Sequence, residues 1–181
     1  NIKLIVTVDN GIVANEAVEF ANQQGIDVII TDHHVASKKL PKAYAIVHTT
    51  RLCGAGVAYM LAQNIKFQIS NFKYSSREEQ SDESRSSRQA RTIKGDEDDN
   101  HLELVALATI ADLVPLLGAN RSLTKFGLER LRRTKRVGLL ALFEEAGLPA
   151  RLAAKRAGRQ GIEQSTIGTY EVGHVIAPRL N

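Results

Sequence analysis

The stretch KLIVTVDNGIVANEAVEFANQQGIDVIITDHH, residues 3–34, decides the fold of this chain. Two runs within it, Lys3–Val8 and Asp27–Thr31, are short, apolar and rich in β-branched residues, which predicts two buried strands. Between them, small apolar residues recur at helical spacing as far as Gly25, and glycine is typical of the position just after a helix. A strand, a helix and a second strand in about 30 residues predict a βαβ unit with parallel strands.

The rest of the chain is predicted to add one strand and several helices. Ala43–Val47 is a candidate third strand. Apolar periodicity predicts helices over Val57–Phe67, Leu102–Val114, Ser122–Arg133 and Leu139–Ala146, whereas residues 162–181 are ambiguous. We therefore expect an α/β fold, a parallel sheet with flanking helices, followed by a mostly helical segment.

One long stretch interrupts this pattern. Residues 71–100 hold six Lys or Arg and eight Asp or Glu, with very few apolar residues. Such a composition buries too little apolar surface to offset the entropy of ordering, so we predict a disordered insertion. The predicted catalytic domain therefore comprises residues 1–67 and 101–146. Residues 147–181 are interpreted as a connector toward a further domain, because the chain is expected to be part of a longer protein.

The overall composition narrows the class of protein. Of 181 residues, 43% are apolar and 24% are charged, which is ordinary for a globular protein. No apolar run is long enough to span a bilayer, and the single Cys53 cannot form an internal disulfide, so we expect a cytoplasmic protein with no membrane partner. The net charge is +4, and the −2 of residues 71–100 leaves +6 elsewhere, which suits a polyanionic partner.

Candidate metal ligands follow both predicted strands. Asp9 comes directly after the first strand, and His33 and His34 come after the second. Because parallel strands joined by one crossover end at the same edge of the sheet, we expect these side chains to lie close together. Asp112 is predicted inside the apolar helix Leu102–Val114, where an isolated carboxylate is very costly unless it is paired or binds a metal.

Carboxylates combined with an imidazole suit a divalent metal ion. Mn²⁺ or Mg²⁺ would fit this chemistry, with Zn²⁺ as an alternative. Two such ions about 3.5–4 Å apart would activate a water molecule and stabilise the leaving oxygen in a phosphoryl displacement. Each residue also has a simpler explanation: Asp9 as a turn residue, the histidines as structural groups, and Asp112 as a cap or the partner of an arginine.

Two further features are candidates for binding a phosphate. A dense basic cluster could track a DNA backbone or could be a solvated helix face; its members are Arg130, Arg132, Arg133, Lys135 and Arg136. Residues 54–56, Gly-Ala-Gly, could offer backbone N–H groups to a phosphate, but close helix packing explains them better. The histidines outside the pair, His48, His101 and His174, are interpreted as structural.

Several motifs resemble those of the DHH phosphoesterases. VTVDNGI (Val6–Ile12) and TDHH (Thr31–His34) are similar to the second and third motifs of that family, and VALATIADLVPL (Val105–Leu116) is similar to the fourth. Within the family, the order of the flanking segments most resembles the RecJ single-stranded-DNA exonucleases; these segments are Leu40–Val47, Gly54–Ala58, Asn120-Arg121, Gly127–Leu131, Gly138–Leu142 and Ala177–Asn181.

The resemblance implies roles for the matching residues. Asp9 would bridge two metal ions, and His33 and Asp112 would be ligands of one of them. His34 would contact the scissile phosphate, and Asp32 would orient the histidine pair. In addition, the nucleic-acid phosphates would be approached by Arg179 and Asn181.

The activity that the resemblance implies is two-metal hydrolysis of phosphodiester bonds, with Mn²⁺ or Mg²⁺ as the cofactor. The intact protein would be a 5′-to-3′ exonuclease acting on single-stranded DNA in DNA repair and recombination. A helicase or a single-strand-binding protein is a candidate partner, and the sequence does not indicate an oligomeric state.

Two parts of the family pattern are not found in this sequence. The first motif, Asp-x-Asp-Gly, would precede residues 3–8, and the DHHA1 domain would follow residue 181. We therefore expect the chain alone to be inactive as a nuclease. Two alternatives stay open: a DHH phosphodiesterase acting on short oligonucleotides or small nucleotides, and a non-catalytic DHH-fold binding or scaffold module.

Overall fold

The computed structural model describes residues 2–78, 101–148 and 167–180 of the chain. Its elements in chain order are β1 (Leu4–Val8), α1 (Asn15–Gln23), β2 (Asp27–Asp32), β3 (Ala45–His48), α2 (Gly54–Glu78), α3 (Leu102–Ala111), α4 (Gly118–Leu131) and α5 (Val137–Glu145). A π-helix, Glu171–Ile176, and a 3-10 turn, Ala177–Arg179, follow. Among the described residues, no helix combines the length and apolarity of a membrane span.

The three strands form one parallel sheet in the order β1-β2-β3. In its register, Val8 lies opposite Thr31, and Asp32 lies opposite His48. The carboxyl ends of all three strands therefore meet at one edge. Helix α1 crosses over from β1 to β2, which confirms the predicted βαβ unit and the α/β class.

The expectation that β1 is buried is wrong. The side chains of Leu4, Ile5, Val6 and Val8 are between 39% and 53% exposed. The apolar run predicted a strand correctly, but it could not show the position of that strand in the sheet. Among the described residues, β1 is paired on one side alone, with β2.

Helix α2 is much longer than the predicted Val57–Phe67. It runs over 25 residues to Glu78, so the first eight residues of the predicted disordered stretch are helical. Disorder was inferred from low apolarity, but a helix that has already nucleated adds residues at little cost, and this segment contains good helix formers such as Lys73 and Arg77. Residues 79–100 lie outside the described part of the chain.

Two hydrophobic cores hold the chain together. The first lies between α1 and the sheet and contains Val18, Ala21, Val28 and Ile30. The second lies among the helices and contains Leu107, Ile110, Leu128, Leu131, Phe143, Ile167, Val172 and Ile176. The described end of the predicted connector, residues 167–180, therefore packs on the helical core; residues 149–166 are not described.

Helices α3 and α4 approach each other closely at Gly127. A β-carbon at this position would lie 2.5 Å from both Ala106 Cβ and the carbonyl oxygen of Leu102, which is far too close for two atoms that are not bonded. The α3–α4 crossing therefore depends on the absence of a side chain at residue 127. This crossing packs α4 on the first half of α3, the helix that Asp112 follows.

Candidate metal centre

Side chains from three separate segments meet at the carboxyl edge of the sheet. The Nε2 atom of His33, just after β2, lies 3.0 Å from Oδ1 of Asp9, just after β1. The same Nε2 atom lies 3.9 Å from Oδ2 of Asp112, just after α3. The fold thus brings together the three residues for which the sequence predicted metal binding.

Asp9 is held in an unusual backbone conformation. Its φ is 60°, in the left-handed region that L-residues other than Asn and Asp seldom adopt. Its backbone N–H donates to the carbonyl oxygen of Thr31 over 2.9 Å, which ties the end of β1 to β2. Backbone strain of this kind is concentrated at functional sites, where the surrounding structure maintains it.

Asp112 reaches the site by a different route from the one predicted. Helix α3 ends at Ala111, so Asp112 is the C-terminal cap residue and its side chain is 39% exposed. The cost of burying a carboxylate inside a helix therefore does not apply, and that part of the prediction is wrong. The helix stops before Pro115 because Leu113, with φ of 55°, turns the chain out of it.

The turn after α3 has the hydrogen bonds of a Schellman motif. The N–H of Leu113 donates to the carbonyl of Ile110 over 3.1 Å, and the N–H of Val114 donates to that of Thr109 over 3.2 Å. Glycine normally occupies the left-handed position of this motif, which is filled here by a leucine. The chain thus accepts strain next to Asp112, as it does at Asp9.

Asp32 binds the loops after β1 and β2 together. Its Oδ2 accepts the N–H of Ile12 at 2.9 Å, and its Oδ1 accepts the N–H groups of His33 and His34 at 2.7 and 3.1 Å. Burial raises the pKa of this carboxyl group, but the hydrogen bonds from Ile12, the His34 ring and the two backbone N–H groups outweigh it and leave a pKa of about 2. Asp32 is therefore a buried anion.

His34 is oriented by that anion. Its Nδ1 atom lies 2.8 Å from Oδ1 of Asp32, and this contact raises the pKa of the ring. The second ring nitrogen, Nε2, is left for a ligand on a largely exposed side chain. His48 supports the same loop, because its Nε2 lies 2.7 Å from the carbonyl oxygen of His34.

The donor set fits a divalent cation. One ligand atom from each of Asp9, His33 and His34 can be chosen such that all lie within 4.8 Å of one another. Asp112 adds a second carboxylate beside His33. Two carboxylates and imidazole nitrogens at one edge of the sheet suit Mn²⁺ or Mg²⁺, and also Zn²⁺.

The predicted basic cluster does not form one surface. Arg136 Nε donates to Oε1 of the buried Glu103 over 2.6 Å, and Arg132 Nε donates to the carbonyl oxygen of Ile167 over 2.8 Å. Both arginines therefore hold the helical core together. Arg133 and Lys135 are the exposed members of the cluster.

Of the two residues predicted to contact phosphates at the end of the chain, Arg179 lies within the described part of the structure. The guanidinium of Arg179 donates to the carbonyl oxygen of Val175, one turn earlier, and its side chain is exposed. Asn181 lies outside the described residues.

Sequence reasoning missed two contributors to the site. The backbone N–H of Ile12 is a hydrogen-bond donor to Asp32, which no side-chain motif could reveal. Gly54, assigned above to helix packing, adjoins Asp9 itself, since a β-carbon at residue 54 would overlap the Asp9 side chain. The nearest signal was the position of this glycine at the start of a helix.

Comparison with known proteins defines the class. Residues 1–109 match the DHH family, N-terminal domain. That match includes three of the four site residues and more than half of the chain. The chain therefore belongs to the DHH family.

Within that family, the chain is similar to RecJ proteins. It is 36% identical over 187 residues to the single-stranded-DNA-specific exonuclease RecJ of Bacillus subtilis, a match covering 98% of this chain and 18% of that protein. The corresponding Escherichia coli protein is 36% identical over 190 residues, with coverage of 99% and 28%. The chain thus spans less than a third of the length of these relatives.

Solved structures agree with this placement. A crystal structure of exonuclease RecJ bound to manganese superposes with a TM-score of 0.67 at 28% identity, covering 99% of this chain and 37% of that one. RecJ from Thermus thermophilus in complex with Mn²⁺ gives the same TM-score and identity, with coverage of 98% and 22%.

Proposed function

We propose that this chain is part of a metal-dependent phosphodiesterase, and that the intact protein is a 5′-to-3′ exonuclease on single-stranded DNA. The observation that carries the proposal is the convergence of Asp9, His33 and Asp112 on one point of the sheet edge. The similarity to RecJ exonucleases across 98% of the chain supports the choice of substrate.

Asp9, His33 and Asp112 would hold the metal ion, with Asp9 placed to bridge a second one. Mn²⁺ or Mg²⁺ bound there would supply an activated water and stabilise the leaving oxygen of the phosphodiester. The relatives solved with manganese bound favour Mn²⁺ for this site. The protein's own contribution is to fix the carboxylates and the imidazole in place before any ligand arrives.

His34 would contact the scissile phosphate. Asp32 holds Nδ1 of this ring, so Nε2 is the nitrogen that faces a substrate. The raised pKa of His34 favours the protonated, cationic ring, which attracts a phosphate oxygen. Arg179 and Asn181 are proposed as further phosphate contacts.

The exposed members of the basic cluster are proposed to contact the DNA backbone. Arg133 and Lys135 lie between α4 and α5, and both residues are exposed. The logarithm of the binding constant for single-stranded DNA falls linearly with the logarithm of the salt concentration. Neutralising both residues should make the slope of that line less negative by about 0.7 for each phosphate contact that is lost. An unchanged slope would remove them from the proposed interface.

The cellular setting follows from the same similarity. We propose a cytoplasmic role in DNA repair and recombination, with a helicase or a single-strand-binding protein as a candidate partner. A phosphodiesterase acting on short oligonucleotides is the alternative enzyme, and comparing a long single strand with a dinucleotide as substrate separates the two.

Calorimetric titration with Mn²⁺ tests the metal site. The parent chain should show saturable binding, and the variant His33→Ala/Asp112→Ala should lose it. His174→Ala is the matched control, because this histidine lies on the π-helix and contacts the carbonyl of Tyr170. Binding that survives in the double variant would refute the site, and no binding by the parent would favour a non-catalytic module.

A further inference from the structure

Gly54 occupies a position where no side chain can fit. A β-carbon at residue 54 would lie 2.5 Å from Asp9 Cβ and nearer still to the carboxyl group of Asp9. Non-bonded carbon atoms do not approach so closely, so an alanine would displace something. The φ of Gly54 is not positive, unlike those of four other glycines, so space and not backbone conformation demands the glycine.

The start of α2 cannot yield to relieve such an overlap. Cys53, the preceding residue, is fully buried, and its Sγ contacts Oγ1 of Thr109 at 3.4 Å. The same sulfur accepts the N–H of Gly56, and the carbonyl of Cys53 accepts the N–H of Val57. The buried Cys53 therefore ties the first turn of α2 to α3.

The side chain of Asp9 is the part that can move. It is half-exposed, and its carboxylate is positioned by the contact with His33 Nε2. A rotation of the Asp9 side chain would move its carboxyl group and break this 3.0 Å contact, but the overlap with Asp9 Cβ, at 2.5 Å, would persist until the end of β1 also shifts. Such a shift would also disturb the hydrogen bond from the Asp9 N–H to the carbonyl oxygen of Thr31.

We propose that Gly54 is a positioning residue for the metal site: it leaves the space that the Asp9 carboxylate occupies beside His33. The inference deepens the proposed function and rests on it, since Asp9 is taken as a metal ligand. The first turn of α2 thus packs directly against the side chain of Asp9. Substitution at residue 54 should therefore displace Asp9 and lower metal affinity, with any loss of stability depending on the Asp9 side chain.

The test measures the affinity of Gly54→Ala for Mn²⁺, with electron paramagnetic resonance reporting the concentration of the free ion. Affinity should fall at least about tenfold, as it does when groups that orient a metal ligand are removed. Gly138→Ala is the matched control, because a β-carbon at residue 138 meets no atom within 4 Å. Gly54→Ala with parental affinity, or Gly138→Ala with an equal loss, would overturn the proposal.

A stability cycle separates this inference from the proposed function. Asp9→Gly removes the three atoms nearest to a β-carbon at residue 54, which are Oδ1, Cγ and Cβ of Asp9. If Gly54→Ala is destabilised or unfolds, Asp9→Gly/Gly54→Ala should regain the melting temperature of Asp9→Gly alone. Failure to regain it would show that Gly54 acts elsewhere and would overturn the inference. A parent chain that binds no Mn²⁺ refutes the metal site instead, and this metal-free cycle still decides the role of Gly54.

Discussion

The Oδ1 atom of Asp32 lies 2.8 Å from Nδ1 of His34, and the same oxygen accepts the backbone N–H of His34 and of His33. One buried carboxylate therefore fixes both the course of the histidine loop and the orientation of one ring. Asp32 is 1% exposed, so its charge is stabilised by these donors and not by water.

The stability that Asp32 contributes should depend on pH. Its pKa is lowered from 3.8 to about 2 on folding, so this stability is fully present above 3.8 and is lost as the pH falls through about 2. Asp32→Asn should lower the free energy of unfolding at neutral pH by about 2–4 kcal/mol, since an amide N–H₂ would face N–H donors. Urea unfolding of parent and variant at several pH values measures both effects.

A parent and an Asp32→Asn variant that differ equally at every pH would contradict this assignment. His34→Ala provides the control, because it removes one of the donors to Asp32 and leaves the three backbone N–H groups in place. The acid-dependent part of the stability should survive in His34→Ala with a smaller amplitude.

Gly127→Ala should weaken the packing of α3 on α4. The added methyl group would overlap Ala106 Cβ and the carbonyl oxygen of Leu102, and neither backbone-bound atom can swing away. We expect a loss of about 2–3 kcal/mol in the free energy of unfolding, in the range of overpacked cores. Thermal unfolding measures the loss, and Gly138→Ala should change stability little; equal melting temperatures for all three proteins would contradict the close approach.

Leu113→Gly should stabilise the chain by about 0.5–1 kcal/mol. A leucine with φ of 55° is strained, whereas glycine adopts this conformation freely, and the Leu113 side chain is 85% exposed and loses little packing. Chemical denaturation measures the gain. If this strain helps to position Asp112, the variant should also bind Mn²⁺ more weakly. A less stable variant would show that the side chain of Leu113 makes contacts that outweigh its strain.

Arg136→Ala should destabilise the helical half by about 2–3 kcal/mol, because it leaves the buried carboxylate of Glu103 without its charged partner. Arg133→Ala, an exposed neighbour in the same basic run, should change stability by less than about 0.5 kcal/mol. Urea unfolding of the two variants compares a structural and a surface arginine. Much of the loss should be recovered in Glu103→Gln/Arg136→Ala, and no recovery would mean that Arg136 acts through packing alone.

The site was predictable from sequence to the extent that it depends on strand ends. Asp9 and the histidine pair each follow a β-branched run. Because the two runs pair as parallel strands, the residues after them lie at one edge of the sheet, and the local sequence pattern was sufficient to predict this. Asp112 was placed correctly, but for a reason that was wrong: the sequence could not show that Leu113 would take a left-handed turn. Gly54 was beyond reach, since its role depends on a contact between residues 45 positions apart.

The exposure of β1 among the described residues could not be predicted either, because an apolar run does not show which elements cover a strand. The basic residues between α4 and α5 could not be told apart by sequence. In the structure, Arg132 donates to the carbonyl oxygen of Ile167 and Arg136 donates to Glu103. In both cases the exposure of the side chains depends on which other elements pack beside the segment, and the composition of the segment does not give that information.

The two hydrophobic cores would give the proposed metal centre a second role. Asp9 and His33 follow strands of the sheet, which forms one hydrophobic core with α1. Asp112 follows α3, which belongs to the helical core. A ligand held by all three residues would couple the unfolding of the two halves. Such a ligand would add to the contact between Cys53 and Thr109 that already joins the halves, so unfolding should become more cooperative and occur at higher temperature.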